Sequence, residues 1–290
     1  MTPCETGGAP QEDAAILDWL EGAILNRCKG METFKKLFTQ LLRDSIDSVI
    51  DAPHTGRFRI HEIEKTEKTY LGTKIEIRFR HLLDVSRGYV LDLNIDGVEV
   101  DVKNTVATNW TIPPEAMGHP CVLISSDEQR AVCSLGLLVI REDCLNPGKN
   151  RDQKSSISRV GLSRVRWLLR NNPYPKNFWE TIDEATLQGI VSAGRGTKRL
   201  AALFRLVQGT PITRSIVEAL GQQKDSLKRL RKNGGARDQL IEEGIALLWG
   251  EKDRALVKRL QLPECSRDEF ISFKPELDED IQLLRDAGHL

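Results

Sequence analysis

The chain has 290 residues, with 42 Lys plus Arg against 42 Asp plus Glu, and six cysteines scattered without a paired spacing. This length allows two domains. The cysteine spacing argues against a zinc site, no run of about 18 apolar residues suits a membrane span, and the start has neither a basic nor an apolar leader-like stretch, so a soluble, reducing, cytoplasmic setting without a membrane partner is expected. Zero net charge hides an uneven distribution. Residues 1–100 carry 13 basic and 17 acidic side chains, residues 149–176 carry 8 and 1, and residues 189–237 carry 11 and 2. A local net of +9 in that last stretch suggests a polyanionic partner.

Residues 1–12 contain Gly-Gly-Ala-Pro and little bulk, and read as a frayed start. Ile16, Leu17, Trp19, Leu20 and Ile24 recur at helical spacing, as do Phe34, Leu37, Phe38, Leu41, Leu42, Ile46 and Val49. Gly72 and Thr73 open a segment, 74–83, whose Ile75, Phe79, Leu82 and Leu83 fit a helix; Ile75, Ile77 and Phe79 fit a strand, and helix is preferred. Two apolar runs then flank Asp96-Gly97. Residues 120–125 and 131–140 read as further strands joined by a polar turn, and residues 112–119 as a loop or short helix. Residues 158–170 read as a basic helix stopped by Asn171-Asn-Pro-Tyr-Pro175, and 192–197 as an exposed loop. Helices over 199–207, 214–220 and 222–232 lead to strand-like segments within 241–249, with Thr213 a fair N-cap for the second of them. The last 40 residues, 10 acidic and 7 basic, read as peripheral. The boundary is placed between 145 and 195, near 180: one domain over 1–170 and a second over 180–290.

Asp-Gly between alternating apolar runs predicts a two-residue hairpin turn. That register pairs Ile95 with Val98, Asn94 with Glu99 and Leu93 with Val100. It carries Asp92 opposite Asp101, with Lys103 two residues further on the same face. The other face is apolar: Leu91, Leu93, Ile95, Val98, Val100 and Val102. Any half-buried hairpin has a polar face, so simple solvation is one reading. Carboxylates opposed across a ladder repel, however, and a merely solvated face avoids like charges in register. A divalent cation would offset the repulsion. Phosphodiester hydrolysis needs an activated water, neutralisation of the transition state and leaving-group help, and two aspartates on Mg²⁺ with a neighbouring lysine supply these. Glu76 is the best candidate for a further acid if 74–83 is a helix on the hairpin; an ordinary exposed helix glutamate is the alternative. Glu99 is a weaker candidate. The five histidines show no metal spacing, and no nucleophile elbow, P-loop or dinucleotide fingerprint is present.

Three short helices followed by a β-ribbon describe a winged helix-turn-helix. The third helix carries Lys224, Lys228, Arg229, Arg231 and Lys232, charges that a recognition helix uses to reach phosphates and base edges, and Arg214 and Arg237 flank it. A solvated Lys/Arg-rich helix on an interaction domain is the competing reading.

Taken in order, Thr55-Gly-Arg57, Lys65-Thr-Glu-Lys-Thr69, Gly72-Thr73, Glu76, Asp92, Val100-Asp-Val-Lys103, Pro113-Pro-Glu115, Gly118-His119, Asn150-Arg-Asp152, Gly234-Gly-Ala-Arg237 and Glu243-Gly-Ile245 resemble the NaeI-type type II restriction endonucleases, over about residues 33–250. The resemblance implies an α+β or α/β fold: an N-terminal PD-(D/E)XK endonuclease-like mixed sheet flanked by helices, and a C-terminal, mostly helical winged-helix domain like that of the catabolite activator protein. It implies a Mg²⁺-dependent homodimer that cuts double-stranded DNA at a GC-rich palindrome. One DNA copy is cleaved and a second, bound by the C-terminal domain, activates; a cognate DNA methyltransferase is expected beside it. Carried onto this chain, Glu76, Asp92, Asp101 and Lys103 become catalytic, with Glu76, Asp92, Asp101 and the Val102 carbonyl on the metal. Val102 departs from the family, where a cysteine is familiar, and Asn104-Thr105 also differs, which bears on the recognition sequence rather than the chemistry. The competing functions are a non-catalytic DNA-binding regulator on a nuclease scaffold and a nicking repair nuclease.

Overall fold

The computed structural model describes residues 11–221, 226–230 and 234–290. They fall into two compact units: Met1–Val49 with Ile60–Asn177, and Ile50–Arg59 with Phe178–Leu290. The ten-residue segment Ile50–Arg59 thus belongs with the C-terminal part of the chain. Among the described residues no helix is long and apolar enough to cross a membrane.

The first unit is mixed α+β. Helices α1 (Gln11–Arg27), α2 (Met31–Ile50) and α4 (Lys65–Leu83) accompany a five-stranded sheet of β1 (Leu93–Ile95), β2 (Val98–Thr105), β4 (Pro120–Asp127), β5 (Val132–Val139) and β8 (Arg166–Pro173), in the order β1-β2-β4-β5-β8. The β2 and β4 strands are parallel and the other pairs antiparallel. A small second sheet joins β3 (Thr111–Ile112), β7 (Ser155–Ile157) and β6 (Leu145–Lys149). The α1 helix lies against β5 and α4 against β2. The helical layer is knitted by aromatics: Phe38 stacks on Phe34 at 5.6 Å and meets the edge of Phe79 at 6.0 Å. All three phenylalanines are fully buried, the arrangement that draws most from ring burial.

The hairpin has the expected register, Leu93 with Val100, Asn94 with Glu99 and Ile95 with Val98. Asp96 and Gly97 both take positive φ, 49° and 89°, as a turn matched to the right-handed strand twist requires, and the Asn94 Oδ1 accepts the Gly97 N–H at 2.9 Å. Helix α4 begins at Lys65, not after Gly72. The Glu67 carboxylate accepts the Glu64 N–H at 2.7 Å, a cap that starts the helix earlier, and Leu71 is buried with Ile75 and Phe79.

The basic helix expected over 158–170 is only six residues long. In α5 (Arg159–Arg164) the Ser158 hydroxyl accepts the Gly161 N–H at 3.0 Å, after which the chain turns into β8. Trp167, Leu168 and Leu169 are the reason: large apolar side chains favour a pleated, packed surface, and β8 pairs with β5 through Leu135–Leu169 and Gly136–Trp167. Gly136 makes room for them, since a Cβ there would lie 2.3 Å from Val165 Cγ1 and 3.0 Å from Trp167 Cε3.

In the second unit α3 (Ala52–Thr55), α6 (Glu184–Ser192), α7 (Thr197–Leu206), α8 (Arg214–Gly221) and α9 (Ala236–Glu242) precede or surround a sheet of order β10-β11-β9, made of β10 (Ala246–Trp249), β11 (Glu269–Phe273) and β9 (Ile212–Thr213). Helices α10 (Arg254–Arg259) and α11 (Asp278–Asp286) complete it. Three expectations are corrected. The strand-like reading of 241–249 gives way at its start to α9, which Gly244 at φ 73° ends before β10 begins. The supposedly peripheral last 40 residues supply β11, the central strand, whose Phe270, Ile271 and Ser272 are buried, and α11, whose Leu284 is fully buried. Of the expected helix 222–232, the described part, Ser226–Leu230, is a single 3-10 turn.

The β5–β8 packing can be checked by filling it. Gly136→Ala is expected to destabilise the protein by about 1–3 kcal/mol through overpacking. Gly148→Ala, where a Cβ meets nothing within 4 Å, should stay within about 0.5 kcal/mol of the parent. Denaturant unfolding of the two variants measures the difference.

Candidate functional site

Strand β2 presents Glu99, Asp101 and Lys103 on one face, two residues apart each time. Asp92 arrives from the loop before β1, one residue beyond the end of the ladder. The Lys103 ammonium lies 2.6 Å from Asp101 Oδ1 and 3.5 Å from Asp92 Oδ2, and also donates to the Val102 carbonyl at 3.3 Å. The Asp92 carboxylate is oriented by the Val102 N–H, which it accepts at 2.8 Å. The expected convergence of Asp92, Asp101, Lys103 and the Val102 carbonyl is therefore present in this geometry, while the Val102 side chain is buried on the apolar face.

Glu76 projects from α4 nearby, half-buried, with Arg80 Nη1 3.7 Å away. Burial first, then the Asp92 charge, raises its pKa, against Arg80, Lys103 and Arg87. Glu99 has a different task from the metal ligation weighed for it. Its carboxylate accepts the N–H groups of Tyr89, Val90 and Leu91, the last at 3.0 Å, and so ties down the loop that leads into Asp92. Cys121 sits directly across from Asp101 in the parallel β2–β4 pairing, with its Sγ 3.9 Å from Asp101 Oδ2. It is fully buried, and burial together with the Asp101 charge lifts its pKa well above the thiol range. Sequence reasoning did not reach either interaction: Cys121 meets Asp101 through a parallel pairing of strands distant in the chain, and Glu99 acts on backbone rather than on side chains.

Asp101 is 2% exposed. Burial pushes its pKa up to about 7 and the Asp92 carboxylate adds to this, against Lys103. Burial opposes the Lys103 ammonium as well, but the two carboxylates outweigh it and its pKa is raised. The centre thus holds two crowded acid groups that favour any additional positive charge. Among the described residues no cluster of three or more His, Cys, Asp or Glu is gathered tightly enough for a metal. Two carboxylates and a carbonyl fit a hard oxygen-seeking cation of the Mg²⁺ kind, which takes one or two protein carboxylates and completes its shell with water and substrate oxygens.

The expected nucleic-acid contacts are placed less uniformly. Arg214, at the start of α8, is exposed and pairs with Glu218 at 2.7 Å. Lys228 is exposed on the 3-10 turn. Arg237 is half-buried and donates to His289 Nδ1 at 3.0 Å, while His289 Nε2 reaches Asp253 Oδ1 at 3.2 Å; burial lowers the Arg237 pKa. Lys224, Arg231 and Lys232 lie outside the described residues, as does the side chain of Arg229.

The mixed sheet thus carries an acid–acid–lysine group on adjoining segments. Comparison with known proteins gives the family. The family described as Restriction endonuclease NaeI matches residues 31–280. The type II restriction enzyme NaeI of Lentzea aerocolonigenes is 34% identical over 241 residues, 80% of this chain and 76% of that relative. The chain belongs to the NaeI restriction endonuclease family, and that membership supports site-specific DNA cleavage.

The raised Asp101 pKa carries a stability consequence with a definite sign. In the folded chain Asp101 keeps its proton up to about pH 7, and in the unfolded chain it ionises around its ordinary value of 3.8. The contribution is fully present below the unfolded pKa and is lost as pH rises through the folded one. In metal-free buffer the wild type should lose more stability between pH 5 and pH 8 than Asp101→Asn, by at most about 3 kcal/mol. Urea unfolding of both at the two pH values measures it, and equal losses would contradict the assignment.

Proposed function

We propose that the chain is a Mg²⁺-dependent type II restriction endonuclease that hydrolyses phosphodiester bonds in double-stranded DNA at a specific, GC-rich palindromic site. One observation carries the reading: Lys103 Nζ stands between Asp101 and Asp92, 2.6 Å and 3.5 Å away, at one rim of a rigid hairpin. Family membership agrees with it. Asp92 and Asp101 would hold the cation, with the Val102 carbonyl and Glu76 as further oxygens. When bound, Mg²⁺ would polarise the scissile phosphate and lower the pKa of a bound water.

The chain's own groups supply the rest. The Lys103 ammonium, kept charged by its two partners, is placed to orient the attacking water and to stabilise negative charge as it develops. The Val102 N–H holds Asp92 Oδ2 and so fixes how that carboxylate is presented to its neighbours. The Glu99 clamp keeps the Asp92 loop from drifting, which matters because ångström-scale misplacement is costly in catalysis.

The catalytic domain is assigned to about residues 1–170 and a winged-helix DNA-binding domain to about 180–290, the latter taking a second, activating DNA copy. In this reading the enzyme works as a homodimer beside a cognate methyltransferase. Support for the second domain comes from its short helices packed on a small sheet and from the exposed Arg214 and Lys228, with Lys224, Arg229, Arg231, Lys232 and Arg237 in the same basic stretch.

Incubation with a supercoiled plasmid and Mg²⁺ should yield discrete linear fragments cut in both strands, and chelation of the metal should stop the reaction. Asp101→Ala and Lys103→Ala should each lower the cleavage rate by at least about 10²–10³-fold while binding in Ca²⁺ is retained. A variant that still cuts at the wild-type rate refutes the assignment of that residue, and nicked circles without linear product would point to a nicking nuclease. Lys228→Glu should weaken DNA binding and flatten the log–log salt dependence by about 0.9, the counterion release that one neutralised phosphate contributes. An unchanged slope removes Lys228 from the interface.

A further inference from the structure

Helix α4 contains a glycine for which its own fold has no use. Gly72 lies in the interior of Lys65–Leu83, where glycine weakens a helix relative to alanine. It does not take a positive φ, and a Cβ added to it would meet nothing within 4 Å. Neither backbone conformation nor packing requires it. A glycine of this kind fits where something outside the free chain comes close to the backbone.

What lies on either side of it suggests what that is. Lys68, Gly72 and Glu76 follow one another at four-residue spacing and share a face of α4. At one end, Glu76 feels the charges of Asp92 and Lys103. At the other, exposed Lys68 lines a cleft of about 460 Å³ together with His61, Arg130 and the hydroxyls of Thr108, Ser125 and Ser126. The Ser126 hydroxyl is buried and has no hydrogen-bond partner among the described residues. Both cleft acids are already engaged, Glu128 by Arg43 and Tyr174, and Asp127 by the Arg130 N–H. Glu128 is matched by Arg43, so Lys68 and Arg130 outweigh the charge that Asp127 keeps, and with the hydroxyls they make a cationic, hydrogen-bonding cleft that suits phosphate oxygens. Eight residues of helix span about 12 Å, enough for a short run of successive phosphates.

We propose that the face Lys68–Gly72–Glu76 is the track of the scissile DNA strand. The sugar-phosphate backbone crosses α4 at Gly72, where the missing side chain lets it approach, and a phosphate away from the cut is held by Lys68 at the cleft. This rests on the nuclease reading above and deepens it by naming how the substrate lies.

The test separates stability from binding. Gly72→Ala should raise Tm by about 2–4 °C, as removal of a helix glycine does, and yet raise KM for plasmid cleavage by about tenfold or more with kcat within about twofold. Lys68→Gln, at an exposed position that folding does not depend on, should raise KM by about three- to tenfold and reduce the salt slope of binding by about 0.9. Gly22 in α1 is also a mid-helix glycine whose added Cβ meets nothing within 4 Å; Gly22→Ala should raise Tm without moving KM. If Gly72→Ala leaves KM unchanged, or lowers Tm, or lowers kcat alone, the track is overturned while cleavage by the wild type stands. If the wild type itself cuts no plasmid, the nuclease reading falls and the track falls with it.

Discussion

Burying Asp101 beside Asp92 is unfavourable unless a positive charge stands between them, and the hairpin puts Lys103 there. Much of the first unit serves that arrangement. The Asp96-Gly97 turn sets the register that faces Asp101 and Lys103 toward the Asp92 loop. The Val102 N–H and the Glu99 carboxylate then fix that loop from both sides, one through the Asp92 side chain and the other through three backbone amides. The parallel strand β4 backs the group with the Cys121 thiol, which is neutral and small, so it fills space behind Asp101 without offering a competing charge. A centre of two acids restrained in this way is biased toward accepting a cation, the condition that metal-assisted hydrolysis uses.

The hairpin was legible in the sequence because its determinants are local. Asp-Gly supplies two positive-φ positions, and a period of two assigns every side chain to a face. Determinants that depend on distant partners were hidden. The stretch 158–170 starts as a helix does, with Ser158 as N-cap, and its arginines suit a helix surface. It becomes a strand because β5 offers an open edge and Gly136 offers room for Val165 and Trp167. Likewise the charged tail looks peripheral from composition, yet Phe270 and Ile271 alternate into a sheet whose other members lie before them in the chain. Glu76 was reachable by residue type, but only the packing of α4 against β2 brings its charge to Asp92.

In the second unit composition was a poorer guide than at the hairpin. A net positive stretch says that cations are present and does not say which way each points. Arg214 and Lys228 are exposed, whereas Arg237 is turned inward and joined to Asp253 through His289. Near the end of the chain, that link ties α9, the segment after β10 and the residues beyond α11 together. An arginine committed to such a bridge contributes to the local fold, because removing one partner of a half-buried charged group leaves the other poorly solvated.

Helix α4 brings both themes together. Its apolar side, Leu71, Ile75 and Phe79, follows the ordinary rule for a packed helix, and its start is explained by the Glu67 cap. Gly72 alone breaks the local rule without any compensating packing in the free chain. Sequences consistent at every other level tend to break such rules at working surfaces, where stability is given up for access. What sets it apart from Gly22, which is equally unpacked in α1, is its place one turn from Glu76 and on the same face. The same glycine misled sequence reasoning about where the helix begins, because a residue kept for an approaching ligand and a residue that ends a helix are identical when only the chain is in view.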